Sequence, residues 1–217
     1  MFVEWRKMCL VLTTVLLSVG TTAASNTCDS ISADANWHSI YSDEILTLYE
    51  PNNRSGPPTL SARIHWPASP ESLYQIIWDY ERFREHIPHV EESKVLQANE
   101  GHKWVYQRLN LPGPIQDRHY ILESTNLDSR PDRRLYRVEW QLSDRFTLPT
   151  RQLVRPATFS GCWHIRPGTA NGLDALYRIR LDPAGNVPRW MARAGMRHYV
   201  KQLMERLHNL LQSPAVR

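Results

Sequence analysis

The stretch DPAGNVPRWMARAGMRHYVKQLMERLHNLL, Asp182 to Leu211, decides how the chain folds. It opens as a turn rich in Pro and Gly and continues as an amphipathic helix. Trp190, Met191, Ala194, Tyr199, Leu203, Leu207, Leu210 and Leu211 recur at spacings of three and four, which is one helical face. Arg189, Arg193, Arg197 and Lys201 fall every fourth residue and form a basic ridge beside that stripe. Gly195 lies inside the helix, where glycine costs ~1 kcal/mol relative to alanine. A long closing helix with a weakened first half therefore needs a surface to cover.

The preceding residues supply that surface. RLYRVEWQL places Tyr136, Val138, Trp140 and Leu142 on one face of a strand and Arg137, Glu139 and Gln141 on the other. FSGCWHI repeats the pattern with Phe159, Gly161, Trp163 and Ile165, and ALYRIRL with Ala175, Tyr177, Ile179 and Leu181. HKWVYQRLNL and RHYILES also alternate, and turn-rich segments such as LPGPIQD, LDSRPD and RPGTANG separate these runs. SDRFTLPTRQLVRP is a longer connection of the kind that covers something. Further upstream, EILTLYE and LSARIHW read as strands. PASPESLYQIIWDYERFREHIP begins a helix with Ser69 as N-cap and Pro70 at its first position. Leu73, Ile76, Ile77, Tyr80 and Phe83 continue its apolar stripe until Pro88.

The predicted order is strand, strand, helix, about five antiparallel strands, long helix. The expected class is α+β: a curved antiparallel sheet wrapped around the C-terminal helix, with a hydrophobic cavity between them. Aromatic side chains with polar tips suit such a cavity.

The first 24 residues read as an address. Arg6 and Lys7 precede an apolar run from Met8 to Val19, and Thr22-Ala23-Ala24 offers a peptidase site. That run is shorter than the ~20 residues a membrane-spanning helix needs. The domain reading is therefore a signal peptide over 1–24, an extension over 25–36, the cavity domain over 37–212 and a tail over 213–217. The expected location is exported, periplasmic. Without the signal, 26 basic residues less two and 22 acidic less one leave a net charge of +3. This suits an anionic surface or ligand but is too small and scattered for nucleic acid. Cys28 and Cys162 survive cleavage and are a possible disulfide in an oxidising compartment.

Three stretches resemble the START lipid-transfer domains of the helix-grip superfamily, which also holds polyketide cyclases and plant hormone receptors. PASPESLYQIIWDYERFREHIPHVEESKVLQ, Pro67 to Gln97, is similar to the superfamily's helix-then-strand opening. LPGPIQDRHYILES, Leu111 to Ser124, resembles a START turn followed by Arg, an acid and an aromatic. Arg118 and Tyr120 match, and His119 replaces the acid. DPAGNVPRWM, Asp182 to Met191, is similar to the START lead-in to the last helix, with Gly185, Pro188 and Trp190 in register. The resemblance implies a lipid cavity lidded by that helix, and Gly195 then either softens the lid or permits close approach to a strand.

The sequence carries no G-x-S-x-G elbow, no HExxH motif and no phosphate-cradling glycine loop. His86 and His89 lie three apart, but Pro88 breaks the helix a metal site would want, so no metal and no cofactor are expected. The leading reading is a non-enzymatic carrier of a lipid or other hydrophobic molecule. Its cavity residues would be Tyr136, Trp140, Trp163, Tyr177, Arg118, Met191 and Tyr199. A transient membrane contact would use Trp190 with Arg189, Arg193, Arg197 and Lys201, while protein partners stay undefined. The alternatives are a cyclase-like enzyme, which needs an acid or base inside the cavity, and a ligand-dependent interaction module.

Overall fold

The computed structural model describes residues 36–111, 115–147, 153–169 and 171–213. The signal reading over 1–24, the extension reading up to residue 35, the tail reading beyond Ser213, and Cys28 lie outside them. In chain order the elements are β1 (Trp37–Ser42), β2 (Leu46–Pro51), β3 (Thr59–Trp66), α1 (Pro70–Trp78), α2 (Phe83–His86), β4 (Val90–Asn99), β5 (His102–Leu109), β6 (Arg118–Arg130), β7 (Leu135–Leu142), β8 (Thr158–Pro167), β9 (Leu173–Asp182) and α3 (Arg189–Gln212).

The nine strands form one antiparallel sheet in the order β1-β2-β3-β9-β8-β7-β6-β5-β4. β3 pairs β9 from Thr59↔Arg180 to Trp66↔Leu173, so the third strand and the last close the middle of the sheet. α1 and α2 carry the chain from that middle to the far edge, where β4 begins. Ser69 accepts the backbone N–H of Ser72 at 3.0 Å and Pro70 occupies the first turn, which starts α1 as its sequence requires. The stripe does not continue as one helix. The chain breaks at Asp79, passes through a 3-10 turn at Tyr80–Arg82, and resumes as the four-residue α2. The Tyr80 hydroxyl meets Ser124 Oγ on β6 at 2.6 Å, which pins that turn against the sheet.

Two edge strands exceed the order read from alternation, β1 and β4, the second of which the resemblance over Pro67 to Gln97 implies. β1 carries one register shift and β4 two, and β4 turns Glu92 and Lys94 outward ahead of Leu96 and Ala98. Bulges and charges are how exposed sheet edges avoid pairing with other chains. The same features remove the apolar alternation that makes a strand readable.

α3 lies on the inner face of the sheet and buries Met196, Val200, Leu203, Met204, Leu207 and Leu211. This corrects the stripe predicted from its first turn. Trp190 is 70 % exposed and Met191 37 %, and Ala194 is exposed, so packing begins only at Met196. On the opposite face, His119 is buried, and its backbone N–H donates to the Val154 carbonyl at 3.2 Å. Cys162 also points away from α3; it is buried and takes part in a disulfide, its expected partner Cys28 lying outside the described residues.

Candidate ligand-binding site

Between α3 and the sheet lie an inner chamber of about 60 Å³ and an outer one of about 180 Å³. Tyr120, Phe159 and Tyr199 line both, so these three rings form the partition between them. Tyr120 and Phe159 meet edge to face with centroids 4.9 Å apart, a favourable aromatic geometry.

The inner chamber is walled by Trp140 of β7, Trp163 of β8, Tyr177 of β9 and Tyr199 of α3, four of the residues predicted for a cavity. Ile77, Phe83 and Ile87 close it from the α1–α2 side, and Gln107 contributes from β5. The tryptophans depend on Gly161. In register, Gly161 sits opposite Trp140, and a Cβ there would come within 2.2 Å of the indole Cζ2 and 2.4 Å of the Arg178 carbonyl oxygen. Glycine at that position lets Trp140 lie across β8, with Tyr177 stacked on it at 5.8 Å and against Trp163 at 4.6 Å.

The outer chamber is bounded by the front half of α3, through Met191, Gly195 and Tyr199, and by the turn that leads into it, through Pro183 and Val187. Leu109, Leu111, Ile115 and Ile179 make the opposite walls. His89 and His198 are at its rim; His89, held at φ 64, brings its Nε2 to 3.2 Å from Gln202 Oε1 of α3.

Burial raises the pKa of Tyr120 and Tyr177 well above the ordinary phenol value, and the nearby Tyr199 adds to it in both. Burial also pushes Tyr199 up, because its hydroxyl end is deep although the residue as a whole is partly exposed. Tyr80 is pushed to about 12, again by burial first. These phenols stay neutral, and their hydroxyls serve as hydrogen-bonding groups. Among the described residues no three potential metal ligands converge.

Two predicted cavity residues are placed otherwise. Tyr136 stacks on Tyr74 of α1 with centroids 4.4 Å apart and lines neither chamber. Arg118 borders the outer chamber, but its guanidinium is committed to backbone. Nε donates to the Pro183 carbonyl at 2.7 Å, Nη2 to Ala184 at 3.2 Å and Nη1 to Gln116. It clamps the turn before α3 instead of offering an open fork to a ligand.

The ridge on α3 is also occupied. Arg189 Nη2 donates to the Ser55 carbonyl at 3.1 Å, and Arg193 donates to the Arg54 carbonyl. Arg197 forms a bidentate pair with buried Glu50, at 2.5 and 2.7 Å. Lys201 lies 4.7 Å from the Tyr41 ring centroid. These contacts bind the front half of α3 to β1, β2 and the loop after β2. Trp190 makes no such contact and projects into solvent.

Residues 66–208 match the model of a family described as polyketide cyclase / dehydrase and lipid transport. A STAR-related lipid transfer protein from Xanthomonas axonopodis superposes with a TM-score of 0.73 at 20% identity, covering 82% of this chain and 99% of that one. Human StAR-related lipid transfer protein 5 gives 0.70 at 9% identity over 83% of this chain and 88% of the other. The Zhui aromatase/cyclase from Streptomyces sp. R1128 gives 0.51 at 14% identity, over 70% and 90%. At such identities the likeness is one of fold, the helix-grip arrangement of START domains. An uncharacterized protein of Pseudomonas aeruginosa is 21% identical over 102 residues, and the match spans 46% of this chain and 49% of that relative.

Proposed function

Since the chain belongs to the polyketide cyclase / dehydrase and lipid transport family, we propose that it is a non-enzymatic carrier that binds a lipid or similar hydrophobic molecule and transfers it between membranes. The observation that carries this reading is the pair of apolar chambers beneath α3, the outer one roofed by the front half of the helix, which is its least packed part. A ligand longer than either chamber must displace the Tyr120, Phe159 and Tyr199 rings. Loosening the front of α3 is the direct way to do so. The driving force is desolvation, ~0.8 kcal/mol for each buried CH₂.

Membrane contact belongs to the same proposal. Trp190 and Met191 are exposed apolar residues on the first turn of α3, beside the outer chamber, and an indole partitions well into the interface of a bilayer. Arg189, Arg193, Arg197 and Lys201 now hold the lid, so an anionic bilayer competes for them and docking favours opening. Each is worth ~1 kcal/mol near such a surface. The apolar run and small residues within 1–24 support export to the periplasm as the setting.

The carrier is favoured over a cyclase by the composition of the inner wall. An acid–base enzyme needs a group poised near the working pH. The titratable side chains that line the inner chamber, among the described residues, are tyrosines with raised pKa. The test is mass spectrometry of solvent extracts from gently purified protein, together with vesicle-to-vesicle transfer of pyrene-labelled lipids. One stoichiometric lipid class and measurable transfer are expected. An empty protein that takes up no labelled lipid would overturn the reading.

A further inference from the structure

The three tyrosines around the partition come from well-separated parts of the chain, Tyr120 on β6, Tyr177 on β9 and Tyr199 on α3. β6 and β9 are separated in the sheet by β7 and β8, and the curl of the sheet turns both side chains into one chamber. Tyr120 is 2 % exposed and Tyr177 3 %. Among the described residues, none of the three hydroxyls makes a hydrogen bond within the protein, whereas the fourth chamber tyrosine, Tyr80, is paired with Ser124. Their oxygens are not among the fully enclosed side-chain atoms left without a partner, so each keeps accessible surface, and all three side chains line the inner chamber. Three phenols with no protein partner around one small space are a feature that packing alone does not explain. No carboxylate, Lys or Arg among the described residues lines the inner chamber, and Arg118 in the outer one is spent on three backbone carbonyls. An anionic group brought to the partition would therefore lie buried with no free Lys or Arg beside it, and His89 and His198 at the rim of the outer chamber would be the nearest basic side chains.

We propose that the hydroxyls of Tyr120, Tyr177 and Tyr199 receive the uncharged oxygen of an amphipathic ligand, a hydroxyl or carbonyl, at the partition between the chambers, and so select neutral lipids over anionic ones. This rests on the reading that the chambers hold a hydrophobic ligand, and it names the class of that ligand. The apolar body of the molecule occupies the chambers while its oxygen exchanges hydrogen bonds with the phenols, which act as donors or acceptors as the ligand requires.

The test compares three pyrene-labelled probes of equal chain length, an alcohol, the matching carboxylic acid and the matching hydrocarbon. Each is titrated into the wild type and into Tyr120→Phe, Tyr177→Phe and Tyr199→Phe. The wild type is expected to bind the alcohol at least about tenfold more tightly than the acid at pH 7. Each substitution should weaken the alcohol by about three- to tenfold, the worth of one hydrogen bond, and leave the hydrocarbon unchanged. The variants without ligand should melt near the wild-type temperature, since each loses a hydroxyl that has no hydrogen-bond partner in the protein. Equal binding of alcohol and acid, unweakened binding of alcohol by all three variants, or melting well below wild type would each overturn the proposal. Retained uptake of the hydrocarbon in those cases leaves the cavity reading standing. Failure of the folded wild type to take up any probe overturns both.

Discussion

Gly195→Ala tests the idea that α3 is built to yield. Gly195 is exposed inside α3, and a Cβ there would meet nothing within 4 Å, so close approach to a strand is not what this glycine serves. Alanine should then add its full helix preference, ~1 kcal/mol, with no packing cost. For a domain of this size that raises the melting temperature by about 2–4 °C. If transfer requires the first turns of α3 to loosen, the same free energy slows it by about fivefold. Circular dichroism melts would measure the first effect and pyrene-lipid transfer between vesicles the second. Amide exchange over 189–196 would report directly whether that segment has stiffened. A lower melting temperature would refute the open environment of Gly195. A higher one with unchanged transfer and exchange would refute the coupling of helix weakness to transport.

Gly161→Ala should cost about 1–3 kcal/mol or more, because the new methyl collides with both the Trp140 ring and the Arg178 carbonyl; unchanged stability in urea would refute the close passage of Trp140 over β8. Glu50→Gln should lower stability at pH 7 by about 1–3 kcal/mol, the worth of hydrogen bonds to a charged group. Burial raises the Glu50 pKa but Arg197, with help from Arg54 and Arg193, outweighs it, and the carboxyl is held below its ordinary value of 4.5. The contribution is therefore complete above pH 4.5 and disappears as pH falls through the depressed native value. Melts of wild type and variant should converge in acid, and a difference that stays constant down to pH 3 would contradict the ion pair. Ser69→Ala should cost ~1 kcal/mol by removing the cap at the start of α1, a loss visible in the same urea curves.

What could be read from the sequence was whatever a single element reveals about itself. The alternation in β7, β8 and β9 put Trp140, Trp163 and Tyr177 on the inner face, and α1 began where Ser69 and Pro70 said it would. Relations between elements were hidden. Tyr136 alternates in step with Trp140, yet it lies under Tyr74, contributed by a helix 62 residues earlier in the chain. Arg118 looked available because the carbonyls it satisfies belong to a turn 65 and 66 residues further on. Phe159 was on the expected face and Tyr120 in a recognised motif, but their role as a partition depends on how the curl of the sheet meets α3. The edge strand β1 escaped because a short, bulged edge has no apolar rhythm to detect, and β4 was legible only through the family resemblance over Pro67 to Gln97. The stripe of α3 was misplaced at its start because periodicity cannot tell which turns of a helix are covered.

α3 is fastened in two different ways along its length. From Met196 onward the helix is held by apolar burial, which is lost only when the interface separates. Before Met196 it is held by side chains reaching from α3 to the loop after β2, Arg189 to Ser55 and Arg193 to Arg54, with the Glu50–Arg197 pair at the junction. Exposed polar contacts of this kind are individually weak and exchange readily for water or another anion. The weaker fastening and the unpacked Gly195 therefore coincide with the segment that roofs the outer chamber. A helix held uniformly would either seal the cavity or detach from it altogether. One held by burial at its far end and by replaceable polar contacts at its near end can admit a ligand while the sheet stays closed around the core.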